Sequence, residues 1–210
     1  MITLTPITDA AKLQEYYRFR YRIYSESRQH SFLGTEDGID TDVYDTHAHH
    51  YSWYVEGKLA GCVRFVEPDT SDAPLPMFSY LTDAMATAAV RGYIAERERL
   101  GQRMIEASRF CLAPEYRGLR TAREFVLAMV MTMQPMGFEH GLFDCGVSHA
   151  PFYKAVGFDV LAGAECFIVP GLAASSCTMR YEYEEMVQRN RELLSRLGFT
   201  HSAREMKKAA

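Results

Sequence analysis

Residues 104–113 read Met-Ile-Glu-Ala-Ser-Arg-Phe-Cys-Leu-Ala. The run alternates as a strand does, yet it sets an acid, a hydroxyl and a guanidinium among apolar side chains. A strand entering a core must pair each of these polar groups or lose free energy. In a regular strand Met104, Glu106, Ser108, Phe110 and Leu112 share one face and Arg109 points to the other. A bulge would change that parity. Other charges in unusual settings lie upstream: Arg20 in a tyrosine-rich helix, Asp42 and Asp45 in a loop, and Arg64 in Gly-Cys-Val-Arg-Phe (61–65). The pattern is that of a polar site assembled on an apolar scaffold.

Working outward from that strand, the order of elements is mixed. A short strand (2–5) and a helix from about Asp9 to Ser25 open the chain. Residues 26–48 contain Gly34, Gly38 and several acidic residues without a clear period, and a loop of that length is usually functional or disordered. Tyr51–Val55 and Leu59–Glu67 read as a hairpin turning at Glu56-Gly57-Lys58. Pro68, Pro74 and Pro76 punctuate a second loop, and residues 80–100 read as a helix. Residues 119–133 form the clearest helix, with Leu119, Ala122, Phe125, Val126, Met129, Val130 and Met133 on one stripe, closed by Pro135 and Gly137. A strand (141–147), a short helix opening near Ser148 with Pro151 in its first turn, a strand (158–169) and a polar helix (181–197) follow. These elements predict an α/β (α+β) fold with a mixed, mostly antiparallel sheet flanked by helices. The expected organisation is one domain over residues 1–180, with a C-terminal helix and tail over 181–210.

Composition narrows the class. At 210 residues and 48% hydrophobic, the chain can bury a full core. The net charge is −4 and no long Lys/Arg run occurs, so a nucleic-acid footprint is not indicated. No apolar run reaches the length of a membrane span. The start, Met-Ile-Thr-Leu-Thr-Pro, lacks a basic region followed by an apolar stretch, so no secretory signal is expected. The five cysteines (62, 111, 145, 166 and 177) show no Cys-x-x-Cys spacing and read as buried reduced thiols of a cytoplasmic protein.

Each polar cluster admits a chemical and a structural reading. Glu106, with Ser108 beside it, can take a proton from an amine nucleophile, directly or through water. It can equally belong to a Glu–Arg ion-pair network. The loop Asp40-Thr41-Asp42-Val43-Tyr44-Asp45 offers carboxylates that can hold a cationic substrate or pair with Arg20, Arg64 and Arg109. It lacks the glycine and distal Glu of a calcium loop. His47, His49 and His50 suggest metal ligands but lack a completing partner, and hydrogen-bonded or solvated histidines fit better, so no metal is expected. Arg117-Gly118-Leu119-Arg120-Thr121-Ala122 sits at a helix N-terminus, where free amides can bind anions. Tyr153 is either a general acid for a leaving thiolate or an aromatic core residue. The eleven methionines are mostly core material, and flexible Met-rich walls also suit a long alkyl chain.

Taken in order, these residues resemble the acyl-homoserine-lactone synthases and the long-chain N-acyl amino acid synthases of the GNAT acyltransferase superfamily, over about residues 13–160. Arg20 with Tyr24 resembles the family's Arg-x-x-x-aromatic pair, and Asp42 with Asp45 its Asp-x-x-Asp. Arg64, Phe78, Glu106 and Arg109 fit the remaining signature positions. The resemblance implies a single GNAT-like domain that transfers an acyl group from a thioester to an amine. It implies a catalytic set of Glu106, Ser108 and Tyr153 and an acceptor site of Arg20, Tyr24, Phe32, Asp42, Asp45, Arg64, Phe78 and Arg109. The acyl and pantetheine path is expected along Phe110, Cys111, Leu112, Phe143 and Cys145, with Arg117 and Arg120 at the helix start. No bound cofactor is implied. The co-substrate is acyl carrier protein bearing a 4'-phosphopantetheine thioester, or acyl-CoA.

Two departures refine this. The lactone synthases carry a tryptophan in the loop after the first helix, whereas this chain offers Phe32 there and has its one tryptophan at Trp53. Tyr153-x-x-x-Gly157-Phe158 resembles a motif of general GNAT enzymes. Both favour the N-acyl amino acid synthases over a lactone synthase using S-adenosylmethionine. In the phosphate loop Arg120 stands where acetyl-CoA enzymes have a glycine, which crowds a pyrophosphate. Arg117, Arg120 and Arg123 suit the acidic surface of a carrier protein instead. An ordinary acetyl-CoA enzyme and a non-catalytic binding module are the other readings.

Overall fold

The structure is a computed structural model, and it describes residues 2–26, 37–68, 75–172 and 174–199. The first strand is β1 (Thr5–Pro6), shorter and later than expected, followed by helix α1 (Ala10–Ser25). Asp9 caps α1 by accepting from the Lys12 amide at 2.9 Å. Strands β2 (His49–Val55) and β3 (Lys58–Val66) form the expected hairpin. Its turn is tighter than expected. Val55 pairs with Lys58, and Glu56 and Gly57 both take positive φ, 50° and 76°, which suits the right-handed strand twist.

Helix α2 (Ala84–Arg99) starts at the Asp83 cap and leads into β4 (Met104–Leu112). Helix α3 (Leu119–Met133) then crosses over to β5 (His140–Gly146), which lies parallel to β4. All other strand pairs are antiparallel. Helix α4 (Ala150–Val156), the two-residue strands β6 (Asp159–Val160) and β7 (Phe167–Ile168), strand β8 (Ser175–Glu182) and helices α5 (Tyr183–Arg189) and α6 (Arg191–Arg196) complete the chain. The eight-stranded sheet runs β1-β2-β3-β4-β5-β8-β6, with β7 also on β8.

Two expectations are corrected here. The strand expected over 158–169 breaks into β6 and β7, because Gly163 turns the chain at φ +84°. The polar helix expected over 181–197 begins only at Tyr183, and it breaks at Asn190 into α5 and α6. Tyr181 and Glu182 instead end β8, which pairs with β5 from Ser176 to Glu182. The alternation of buried Cys177, Met179 and Tyr181 marks β8, but its polar ends hide it.

The helices cover the sheet on both sides. Phe125, Val126, Met129, Val130 and Met133 of α3 pack on Val63, Phe65, Ile105 and Leu112, together with residues from α4, α5 and α6. Each such side chain contributes about 1.5–3 kcal/mol on full burial. Leu119 departs from the expected stripe and stands 77% exposed in the first turn of α3. On the other face α2 packs on Val66, Met104 and Leu142, and α1 packs on Cys62 and Cys111. Gly61 lets α3 approach the sheet, since a Cβ there would lie 2.5 Å from Phe125 Cε2.

Two features of β4 position the site. First, Cys62 pairs with Cys111 and Arg64 with Ser108, so two residues of β3 span three of β4. The extra residue is a bulge, and Arg109 within it has φ +52°. The bulge corrects the expected parity: paired residues share a face, so Cys111 joins Glu106 and Ser108, while Leu112 packs under α3 with Phe110 alongside. Second, β4 and β5 are paired only at 104/140, 105/141 and 106/142. Beyond Glu106 and Leu142 the strands part.

Candidate active site

A cleft of about 650 Å³ opens where β4 and β5 part. Among the residues lining it are Tyr24, Asp42, Arg64, Glu106, Ser108, Arg109, Asp144 and Cys145.

One wall is a charge network assembled by α1, the Asp40–Asp45 loop and strands β3 and β4. The loop folds into a 3-10 turn over Val43–Thr46, with Asp42 as its cap and Asp45 closing a reciprocal capping box. Arg20 is fully buried; its Nε donates to Asp40 Oδ2 at 2.7 Å and its Nη1 to Asp45 Oδ1 at 2.7 Å. Arg64 Nη1 donates to Asp42 Oδ1 at 2.6 Å and to Asp45 Oδ1 at 3.1 Å, and its Nε donates to Ser108 Oγ at 3.1 Å. Arg109 lies 3.2 Å from both Asp40 Oδ2 and Asp42 Oδ2, with its guanidinium over the Tyr24 ring at 5.4 Å. Burial pushes Asp45 up, but Arg20 and then Arg64 outweigh it and hold the carboxyl at about 2. Three arginines thus face three aspartates. Of the two uses open to the loop carboxylates, pairing with Arg20, Arg64 and Arg109 is the one seen.

Glu106 stands outside this balance. It is 1% exposed, and its Oε2 accepts from the Met77 amide at 3.1 Å. Among the described residues it makes no ion pair, so the Glu–Arg network does not include it. Burial raises it to about 8, against the partial relief of the Met77 amide. Ser108 sits two residues further along the same face, held by Arg64.

Sequence reasoning missed Asp144. It lies on β5 two residues past Leu142, the partner of Glu106, so both carboxyls project from the same face. Thr178 Oγ1 donates to Asp144 Oδ1 at 2.7 Å. Burial raises Asp144 to about 6, with Thr178 and Tyr80 pulling it part of the way back. The signal was present in Gly-Leu-Phe-Asp-Cys (141–145), an acid inside an apolar strand. Asp40 was also underweighted: it is 1% exposed and braces both Arg20 and Arg109.

The remaining expected residues are dispersed. Phe78 is not among the cleft-lining residues; the Arg91 guanidinium of α2 lies over its ring at 4.6 Å. Phe32 falls outside the described residues. Phe110 packs edge-on to Phe125 at 5.0 Å, and Cys111 and Leu112 are buried on opposite faces. Cys145 lines the cleft, with Sγ 3.8 Å from Cys177 Sγ. Cys166, expected to be buried, is exposed. Tyr153 joins an aromatic cluster on the α3 side of the sheet, its ring 4.7 Å from Phe143 and 5.7 Å from Phe158, and burial raises its phenol. Arg117 Nε caps the Leu112 carbonyl at 3.0 Å, and Arg120, 91% exposed, pairs with Glu124 at 3.1 Å. His50 is buried against Tyr16, while His47 and His49 are exposed. Among the described residues no group of three or more His, Cys, Asp or Glu is placed to hold a metal ion.

The family model described as acetyltransferase (GNAT) domain matches residues 19–126, more than half of the chain. The chain belongs to this family and is an N-acyltransferase. Comparison with curated protein sequences gives no match. Among solved structures, BjaI, a CoA-dependent acyl-homoserine lactone synthase with SAM and isopentyl-CoA, superposes with TM-score 0.70 at 18% identity, over 96% of this chain and 90% of that one. MesI, a CoA-dependent acyl-homoserine lactone synthase, gives 0.67 at 18%, over 96% and 97%. FeeM, an N-acyl amino acid synthase from uncultured soil microbes, gives 0.61 at 12%, over 90% and 94%. At these identities the likeness speaks to the fold, which is the GNAT fold. Among the described residues no helix is long and apolar enough to cross a membrane.

Proposed function

We propose that this protein moves a long-chain acyl group from acyl carrier protein, or from acyl-CoA, to the α-amino group of an amino acid. The observation that carries this reading is Glu106: a buried carboxyl that among the described residues has no ion pair, at the point where β4 and β5 part. The thioester enters between the strands, the amine attacks its carbonyl carbon, and Glu106 takes a proton from nitrogen. Amides on the β5-facing edge of β4 beyond residue 106, which among the described residues has no partner strand, face the developing oxyanion. The thiolate leaves, with Tyr153 as its candidate proton donor. Arg64, Arg109 and Ser108 form the rigid wall that orients the acceptor, and the network of aspartates keeps those arginines in place.

Arg117, Arg120 and Arg123 are exposed around the start of α3, and we assign them to the acidic surface of a carrier protein. The arginine at 120 takes the place of a pyrophosphate cradle, which a carrier-bound pantetheine does not need.

A second reading makes S-adenosylmethionine the acceptor, favoured by the carboxyls of Asp42, Glu106 and Asp144 lining the cleft, which would attract a sulfonium. One assay decides between them: decanoyl-carrier protein and decanoyl-CoA, each offered the twenty amino acids and S-adenosylmethionine, with products read by mass spectrometry. Open-chain N-decanoyl amino acids are the expected products. Dominant release of methylthioadenosine with a lactone would establish the second reading.

A further inference from the structure

Glu106 and Asp144 have a relationship that neither the charge network nor a single-base mechanism uses. Both carboxyls lie on the same face of adjacent parallel strands, one on each side of the opening, and both line the cleft. Around them are Tyr44, Tyr80, Asp42, Arg64 and Arg109. Both arginines are already engaged by Asp40, Asp42 and Asp45. Among the described residues neither Glu106 nor Asp144 has an ion-pair partner, and Asp144 Oδ2 is buried without a hydrogen bond. Two buried carboxyls without a cation form a site that a cation from outside completes.

The chemistry supplies that cation. An α-ammonium group has three N–H bonds, and the amide nitrogen of the product keeps one. Two protons must therefore leave nitrogen, one before attack and one as the tetrahedral intermediate collapses. The departing thiolate regains one proton and the other goes to solvent. A lone Glu106 accepts only one of the two.

We propose that Asp144 is a second catalytic carboxyl: it binds the acceptor's ammonium opposite Glu106 and takes its first proton, leaving Glu106 to take the second as the new C–N bond is completed and the C–S bond breaks. This rests on the proposed amine acyl transfer and adds an acceptor class to it, a primary amine that arrives charged. The two environments support such a division. Asp144 is held near 6 and Glu106 near 8, so the empty cleft carries about one proton between them at neutral pH. An incoming ammonium favours ionisation of both.

The test compares wild type, Asp144→Asn and Thr178→Val, using decanoyl-carrier protein and the amino acid that wild type uses best. With Asp144→Asn, kcat/KM should fall roughly 10²-fold or more, and the acid limb of its pH profile should lose one proton's worth of slope. The deficit should shrink when the acceptor is the amide of the same amino acid, a weaker base that needs less help in losing its proton. Thr178→Val keeps the carboxyl but removes its hydrogen bond, so the acid limb should move to higher pH. This second variant carries the test if Asp144→Asn does not fold. Wild-type rate and an unchanged limb in folded Asp144→Asn, or an unmoved limb in Thr178→Val, would overturn the carboxyl pair and leave the acyltransferase reading standing. No wild-type turnover with any amine would overturn both.

Discussion

The Met77 amide donates to Glu106 Oε2 at 3.1 Å, so this carboxyl is held by a backbone dipole rather than by an arginine. A residue held in this way can change protonation state without breaking the charge network beside it. Glu106→Gln should therefore cut turnover by roughly 10²–10⁴ while the protein stays folded. Kinetics run beside thermal melts check this. Full specific activity in the variant would end the catalytic assignment.

The same burial gives a pH dependence of stability. Glu106 ionises near 8 in the folded protein against an ordinary value of 4.5. Its folded value is raised, so its contribution is fully present below about 4.5 and is lost as pH rises through 8. Wild type should accordingly lose stability relative to Glu106→Gln between these limits, with the two melting temperatures diverging as pH increases. A constant difference across that range would show that Glu106 titrates normally.

Arg109 combines two demands. Its φ of +52° favours glycine, and its guanidinium serves Asp40 and Asp42. Arg109→Ala loses the ion pairs and keeps the strained backbone. Arg109→Gly loses the same pairs but relieves the strain, so it should be more stable than the alanine variant by about 0.5–1 kcal/mol. Denaturant titration of the two variants makes the comparison, and equal stabilities would place the strain elsewhere.

Asp45 sits between Arg20 and Arg64, and removing its charge leaves Arg20 with Asp40 and Arg64 with Asp42 as their remaining counter-charges. Asp45→Asn should cost on the order of 3–5 kcal/mol. Its folded value is depressed to about 2, so this stabilisation is present above the ordinary 3.8 and is lost as pH falls through 2. Urea unfolding at neutral pH and at acid pH should show the gap between wild type and variant closing.

At the start of α3, charge reversal at Arg120 tests the donor. Exposed charge pairs are worth roughly 0.2–1 kcal/mol, so Arg120→Glu should raise the apparent KM for acyl carrier protein about 1.4- to fivefold. The effect should fade with added salt and be weaker with acyl-CoA. An equal change for both donors at every salt concentration would argue against carrier-protein docking there.

Much of the molecule was readable in the chain because local signals agreed with tertiary needs. The amphipathic stripe of α3 and the Pro135 and Gly137 stop reproduce its observed span, Leu119–Met133. Arg20, Asp42, Asp45, Arg64, Glu106 and Arg109 stood out because charge in an apolar run must be compensated. What could not be read depends on pairing between distant segments. The bulge at Arg109 exists because β3 and β4 differ by one residue in register, and a single strand does not display that. Strand β8 was hidden because its burial comes from β5 on one side and the short β6 and β7 on the other. Asp144 carried the same signal as Glu106 but lay in a segment whose neighbours were unknown.

The parting of β4 and β5 leaves a wedge in the middle of the sheet, with peptide groups along both edges that have no neighbouring strand among the described residues. A pantetheine arm is itself an extended chain with two amide groups. On entering the wedge it can bond to those edges as a strand would, so the donor becomes a transient structural member of the protein. Catalysis then begins with completion of the sheet and ends with its reopening. Amide hydrogen exchange along 107–112 and 143–146 should slow when a non-transferable pantetheine thioether is bound, and the added protection should vanish with product release.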